Sequence, residues 1–86
     1  MHLLAQSGAD AISVDQTNDL AASRGVLKDT LLFGNIDPVA TLWQSSESQV
    51  REAVIRAKEA GVDAVWPGCD LVPMSPVENI RAMIAL

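Results

Sequence analysis

The sequence has very little of what disulfide frameworks and metal centres are built from. Its 86 residues include one cysteine and one histidine. A single cysteine cannot form an internal disulfide, and it is typical of a protein from a reducing compartment. Zinc takes three or four protein ligands of these types, so one copy of the chain cannot complete a zinc site from them. We therefore expect a cytoplasmic protein without a disulfide framework.

Positive charge and long hydrophobic runs are also scarce. Six Lys and Arg against eleven Asp and Glu give a formal net charge of −5, a balance that does not attract phosphate backbones. No apolar run approaches the roughly 18 residues of a membrane span. Residues 1–5 lack the basic end and the apolar segment of a signal peptide. The composition therefore predicts a protein that binds neither nucleic acids nor membranes.

Aromatic residues make up 3% of the chain, although 49% of it is hydrophobic. The apolar residues are mostly Ala, Val, Ile and Leu, which suits parallel strands buried under helices. A domain of this length buries only roughly 60–65% of the surface that its unfolded chain exposes. So short and so apolar a chain is therefore expected to be only marginally stable on its own.

Three apolar runs divide the sequence, and each is followed by turn residues and a helical pattern. The runs are residues 11–14, 31–34 and 64–66. Helices are predicted over residues 19–24 (ending at Gly25), between a start at Ser46 and a stop at Gly61, and over residues 76–85. Residues 2–7 resemble the tail of an earlier helix. This alternation predicts an α/β fold with parallel strands and right-handed crossovers. Three strands could form a small open sheet or part of a barrel.

The helix ends carry their own signals. Ser46 and Gln49 have the spacing of a capping box, and Gly61 is a natural left-handed stop. In the last helix, Ser75 is predicted to cap the free N–H groups ahead of Pro76. The side chains expected to face inward from that helix are Ile80, Met83 and Ile84.

Polar side chains follow the strands at their carboxyl ends, where α/β proteins place their sites. Asp15 and Asn18 come after the first strand, and Asn35 and Asp37 come after Gly34 in the second. Amide and carboxylate groups could bind a ligand there, because glycine permits a close approach to the backbone. Turn formation and helix capping account for the same residues about equally well.

Cys69 follows the third strand, between Gly68 and Asp70. A free cysteine is most often a small buried hydrophobe. As a thiolate, it could instead ligate zinc or act as a nucleophile. His2 has no partner at ligand spacing and is predicted to be a surface or packing residue. The sequence contains no Gly-rich phosphate loop and no CxxC pair that would point to another chemistry.

A more specific pattern runs through the third strand and the last helix. Residues 61–73 are GVDAVWPGCDLVP, and residues 75–83 are SPVENIRAM. They are preceded by ADAISVD at residues 9–15 and LFGNIDP at residues 32–38. Together these motifs resemble the carboxyl-terminal part of the corrinoid:coenzyme M methyltransferases of the uroporphyrinogen decarboxylase superfamily. The resemblance implies that residues 1–86 are one segment, the carboxyl-terminal portion of a (β/α)8 TIM barrel with about three β/α units.

The resemblance also implies a reaction, the zinc-dependent transfer of a methyl group from a corrinoid protein to a thiol such as coenzyme M. In that family, zinc is held by a His-x-Cys pair and a later cysteine, and Cys69 matches the later cysteine. The pair would precede Ala9 and is absent, since His2 is followed by two leucines. The expected zinc site is therefore incomplete, and the isolated chain is expected to be inactive. The residues expected at the barrel mouth are Asp15, Asn35 and Asp37.

Two other functions stay open. A cofactor-free decarboxylase of tetrapyrrole carboxylates belongs to the same superfamily, although that branch uses no zinc thiolate at the position of Cys69. Alternatively, the chain is a non-catalytic short protein that folds and self-associates. Parallel strands that do not close leave open edges, and pairing with another copy covers them. On that ground the isolated chain is expected to be a dimer or a larger homo-oligomer.

Overall fold

The fold is a single parallel sheet with helices between its strands, as the computed structural model of residues 2–85 shows. The strands are Ala11–Ser13 (β1), Leu31–Ile36 (β2) and Ala64–Pro67 (β3), in the order β1-β2-β3. The helices are His2–Ala5 (α1), Leu20–Val26 (α2), Glu47–Glu59 (α3) and Val77–Ile84 (α4). Both strand pairs are parallel, so the predicted α/β fold with three parallel strands is confirmed.

The sheet has one covered face and one bare face. Along β2, Leu32, Gly34 and Ile36 are buried, whereas Leu31, the first residue of the strand, is 49% exposed. Side chains of residues paired across a sheet point to the same face, so the strand register shows which residues lie on the bare face. We use that name for Ala11, Ser13, Leu31, Phe33, Asn35, Ala64 and Trp66. A barrel carries helices only on the outside of its sheet, and this asymmetry is what a segment of one would have.

Helix α3 supplies much of the packing on the covered face. Val50, Val54 and Ala57 recur at helical spacing and are all buried. The capping box is confirmed, since Ser46 Oγ accepts from Gln49 N and Gln49 Oε1 accepts from Ser46 N. The full set of buried hydrophobic residues is Ile12, Val14, Leu20, Leu27, Leu32, Ile36, Leu42, Val50, Val54, Ala57, Ala82 and Met83. The core therefore lies entirely between the helices and one side of the sheet.

Two predictions for the last helix are wrong. Pro76 is the N-cap residue of α4 and its backbone is extended, so Ser75 lies one residue too far from the free N–H groups to cap them. Its hydroxyl is buried and has no hydrogen-bond partner among the described residues. Ile84 is 70% exposed, and the buried positions are instead Asn79, Ala82 and Met83. Asn79 is buried because its amide donates to the carbonyl groups of Leu42 and Ser45, in the segment that leads into α3.

Smaller differences affect the other elements. Helix α2 continues through Gly25 to Val26, because the buried Leu27 closes it with a bond from its N–H to Ser23 O. Strand β1 ends one residue before the predicted Val14, and β2 runs two residues past Gly34. The side chain of His2 lies outside what the structure describes. No helix among residues 2–85 is long and apolar enough to cross a membrane.

One arginine joins three segments at the amino edge of the sheet. Nη1 of Arg24 donates to Gly61 O at 3.1 Å and to Asp63 Oδ2 at 2.7 Å. Its other guanidinium nitrogens donate to the carbonyl groups of Leu27 and Thr30. Gly61 has φ of +102°, and a Cβ there would lie 2.8 Å from Arg24 Cγ, so the glycine leaves room for the arginine. We call this set the Arg24 clamp (Arg24, Leu27, Thr30, Gly61 and Asp63).

The Asp63 carboxylate makes the stability of the clamp sensitive to acid. Its pKa lies below the ordinary 3.8, because Leu32 N–H and then the Arg24 guanidinium stabilise the charged form. A pKa lowered by folding contributes stability above the unfolded value, and that stability is lost as the pH falls through the folded value. We expect the melting temperature to drop below about pH 4, and to drop less steeply in Asp63→Asn. Circular dichroism melts of both proteins would test this, and parallel pH curves would contradict it.

Candidate functional site

The predicted site residues lie along the carboxyl edge of the sheet. Asp15 follows β1, Asn35 is the fifth residue of β2, Asp37 follows the same strand, and Cys69 comes two residues after β3. The edge is not flat, because the end of β1 lies against its neighbours. A Cβ on Gly34 would be 2.6 Å from Val14 O, and one on Gly68 would be 2.7 Å from Gln16 N. The ends of all three strands therefore meet around residues 14–16.

The carboxylate of Asp15 is fixed by its own loop. Oδ1 accepts from Thr17 N at 3.1 Å, from Thr17 Oγ1 at 2.6 Å and from Asn18 Nδ2 at 2.8 Å. These bonds, the Thr17 hydroxyl first, hold the pKa of Asp15 below its ordinary value of 3.8. The residue is therefore an exposed, ionised carboxylate with a set orientation. All three bonds are accepted by Oδ1 from residues two and three positions along the chain. Asp15 therefore has the turn-forming role that was one of its predicted roles.

Asn35 connects β2 to the same loop. Its Nδ2 donates to Asp15 O at 2.8 Å and to Asn18 O at 2.7 Å, which uses both amide hydrogens. Asp15 and Asn35 are therefore brought together, and their contact runs through the loop backbone.

Asp37 is hydrogen-bonded within the turn that follows β2. Its Oδ1 accepts from Val39 N at 2.9 Å and Ala40 N at 3.0 Å, and it starts the turn that leads toward α3. An open depression of about 360 Å³ lies beside it, between α2 and α3, with Asp19 and Arg56 in its wall. Turn formation accounts for both of the Asp37 hydrogen bonds, as one of its two predicted roles required.

Cys69 is exposed and sits in the bend that follows β3. Gly68 before it donates its N–H to Ile36 O at 2.9 Å, which ties the bend to the end of β2. The other side of Gly68 lies against Gln16. The interpretation of Cys69 as a small buried hydrophobic residue is therefore wrong, since its side chain is exposed in the described structure. Its thiol is placed at the edge where the polar residues collect.

Sequence reasoning missed an aromatic cluster on the bare face. Trp66 Nε1 donates to Ser13 Oγ at 2.9 Å, and the Trp66 and Phe33 rings meet edge to face with centroids 4.7 Å apart. Trp66 nevertheless keeps 40% of its surface exposed. The period-2 alternation of β1 and β2 was the available signal, since it puts Ser13 and Phe33 on one face. The cluster lies next to Asn35, which pairs with Trp66.

One of the described residues, Cys69, has the chemistry of a zinc donor. A solvent-exposed thiol at the carboxyl end of a barrel-type strand is a suitable zinc donor. Residues 2–85 contain no group of three His, Cys, Asp or Glu side chains that could hold a metal ion. The described part of the chain thus fits zinc through one donor and does not complete its coordination.

Comparisons with known proteins agree on one family. The sequence matches the uroporphyrinogen decarboxylase (URO-D) family over residues 1–86. It is 35% identical over 82 residues to the methylcobamide:CoM methyltransferase MtbA of Methanosarcina mazei, covering 95% of this chain and 24% of that protein. It is 36% identical over 87 residues to a uroporphyrinogen decarboxylase of Coxiella burnetii, covering 94% of this chain and 23% of that protein.

A solved structure gives the same answer for the fold. A methyltransferase from Methanosarcina mazei superposes with a TM-score of 0.90 at 28% identity, over 98% of this chain and 26% of that one. The chain therefore spans about a quarter of the length of the relatives that it matches.

Proposed function

Because the chain belongs to the uroporphyrinogen decarboxylase family, we propose that it forms the carboxyl-terminal portion of a methyltransferase. The enzyme would move a methyl group from a corrinoid protein to a thiol such as coenzyme M, in the cytoplasm. The observation that carries the proposal is the exposed thiol of Cys69 at the carboxyl edge of the sheet. The 35% identity to a methylcobamide:CoM methyltransferase supports it.

In this proposal Cys69 is one zinc ligand, and the others come from the rest of the barrel. Zinc bound there would keep an acceptor thiol deprotonated at neutral pH. Asp15, Asn35 and Asp37 line the mouth of the barrel, where the substrate binds. Trp66 and Phe33 form an apolar floor below them that limits the access of water.

Because one donor cannot complete the coordination, the isolated 86-residue chain is proposed to be inactive. Its bare face carries Leu31, Phe33 and Trp66, and the sheet formed by residues 2–85 has two unpaired edges. Both features favour association with further copies when the remaining strands of a barrel are missing.

Replacing Cys69 by serine in the full-length protein that contains this segment tests the metal role. We expect bound zinc to fall to background and methyl transfer from methylcobalamin to coenzyme M to fall about 100-fold or more. Loss of even an outer partner of a metal ligand costs roughly 10–100-fold. Zinc is measured by atomic absorption and transfer by the change in the cobalamin spectrum.

Met74→Leu is the matched control for that experiment. Met74 is in the same loop and is 71% exposed, so its replacement also removes a sulfur atom without disturbing the core. Its zinc content and activity should equal those of the wild type. A Cys69→Ser protein that keeps both its zinc and its activity would sink the proposal.

A second candidate is a uroporphyrinogen decarboxylase. The 36% identity to the Coxiella burnetii decarboxylase favours it, since that value is close to the identity with the methyltransferase. In this case Cys69 would bind no metal. A full-length protein that decarboxylates uroporphyrinogen, contains no zinc and leaves methylcobalamin unchanged would establish the second candidate over the first.

A further inference from the structure

We propose that Asn35 is a positioning residue that sets the place of Cys69 by holding the loop of residues 15–18. The inference rests on the proposed function for the importance of Cys69, but the geometry behind it is independent of any metal. It assigns to the Asn35 amide nitrogen a role in the site that needs no direct contact with substrate.

Asn35 is hydrogen-bonded to both ends of the loop of residues 15–18. Both of its amide hydrogens are donated to carbonyl groups at the two ends of the loop, Asp15 O at 2.8 Å and Asn18 O at 2.7 Å. Asparagine is disfavoured in strands, so its position in β2 is not explained by local preference. A side chain with two N–H donors is what holding two carbonyl groups requires.

The loop is also held by hydrogen bonds within itself. Asp15 Oδ1 gathers three bonds from Thr17 and Asn18, and Asn18 N also donates to Asp15 O at 3.2 Å. The loop therefore behaves as one unit. A shift of either end that Asn35 holds would carry the whole loop with it.

The loop is in direct contact with Gly68. A Cβ on Gly68 would lie 2.6 Å from Gln16 Oε1, 2.7 Å from Gln16 N and 3.1 Å from Asp15 C, so the loop fills the space beside the glycine. Gly68 is held from the other side by Ile36 O at 2.9 Å. Gly68 is thus enclosed between the loop and β2, and Cys69 is the next residue. Movement of the loop is transmitted directly to the backbone that carries the thiol.

The test compares Asn35→Asp with Asn79→Asp. The first variant turns a double donor into a carboxylate that faces two carbonyl groups, which should release the loop. Asn79 makes the same pair of bonds elsewhere, to Leu42 O at 2.9 Å and Ser45 O at 2.8 Å, and its replacement should destabilise the fold without touching the loop. Both proteins are compared where circular dichroism shows them to be folded.

The readout is the rate at which Cys69 reacts with Ellman's reagent, since it is the only cysteine in the chain. We expect Asn35→Asp to change this rate severalfold and Asn79→Asp to leave it at the wild-type value. In the full-length protein, Asn35→Asp should lower kcat by about 10–100-fold with little change in the KM of the thiol, because misplacement by about 1 Å is costly for chemistry. Asn79→Asp should leave both constants unchanged.

Equal thiol rates in the wild type and the folded Asn35→Asp chain would overturn the inference. If Asn35→Asp does not fold, Asn35→Ser keeps one donor and should give a smaller change in the same direction, and an unchanged rate there overturns it equally. The thiol assay needs neither zinc nor methyl transfer. A Cys69→Ser protein that retains zinc would therefore refute the proposed function and leave this result to be judged separately.

Discussion

Replacing Gly34 by alanine is expected to destabilise the chain by about 3–5 kcal/mol, from backbone strain and overpacking combined. Gly34 has φ of +145°, a conformation that residues with a side chain rarely adopt. An added Cβ would lie 2.6 Å from Val14 O and 3.3 Å from Val14 Cγ2. The shorter contact is with the backbone of Val14, which follows β1 and is tied to β2 by the bond from Val14 N–H to Phe33 O, so it cannot readily move aside. For a chain of this size such a loss is comparable to the whole stability of the fold.

Gly25→Ala is the matched control for this prediction. Gly25 lies within α2, and an added Cβ there would meet nothing within 4 Å. Alanine at an unstrained helical position should raise stability by about 0.5–1 kcal/mol. Urea unfolding followed by circular dichroism would report both effects as shifts of the midpoint. A Gly34→Ala midpoint at or above the wild-type value would show that the end of β1 does not press on β2 as described.

The parts of the fold that could be predicted are those with local signals. The capping box of Ser46 and Gln49 and the left-handed Gly61 need only neighbouring residues, and both are present. The strand ends were harder to predict from the sequence. Asn35 and Ile36 belong to a motif that resembles a turn, and yet they continue β2. Local pattern cannot distinguish these cases, since the pairing of Asn35 with Trp66 decides them.

The candidate site divides in the same way. That Asp15, Asn35 and Asp37 collect at one edge follows from parallel strands alone. The partners of those groups do not follow, because Asn35 reaches back 20 residues to Asp15 and Trp66 reaches back 53 residues to Ser13. Such contacts depend on how the sheet curves, which no short sequence window contains. The ligand roles of these residues and of Cys69 stay predictions.

The two edges of the sheet carry different kinds of polar group. At the carboxyl edge, the exposed Asp15 and Cys69 leave groups available to a ligand. At the amino edge, the polar groups of the Arg24 clamp are hydrogen-bonded to one another within the protein. Barrel enzymes place function at the first edge and stability at the second. Variants of the clamp should accordingly change stability far more than they change the groups at the carboxyl edge.

Arg24→Ala is expected to lower the free energy of unfolding by about 2–4 kcal/mol, because charged hydrogen bonds are worth roughly 1.5–3 kcal/mol and their loss leaves carbonyl groups unpaired. The carbonyl groups are those of Leu27, Thr30 and Gly61. The Arg24 side chain is only 25% exposed, so water replaces these bonds incompletely. Arg24→Lys should recover a minor part, since an ammonium cannot reach carbonyl groups in several directions at once.

Arg51→Ala supplies the comparison that gives this result its meaning. Arg51 pairs with Glu47 one turn away at 3.2 Å, and its side chain is 52% exposed. Exposed pairs of this spacing contribute about 0.3–0.5 kcal/mol, so its urea midpoint should barely move. Both variants remove one positive charge, and a difference between them therefore isolates the clamp from the effect of net charge. Equal midpoints for Arg24→Ala and Arg51→Ala would mean that the amino edge is held by its apolar packing and not by Arg24.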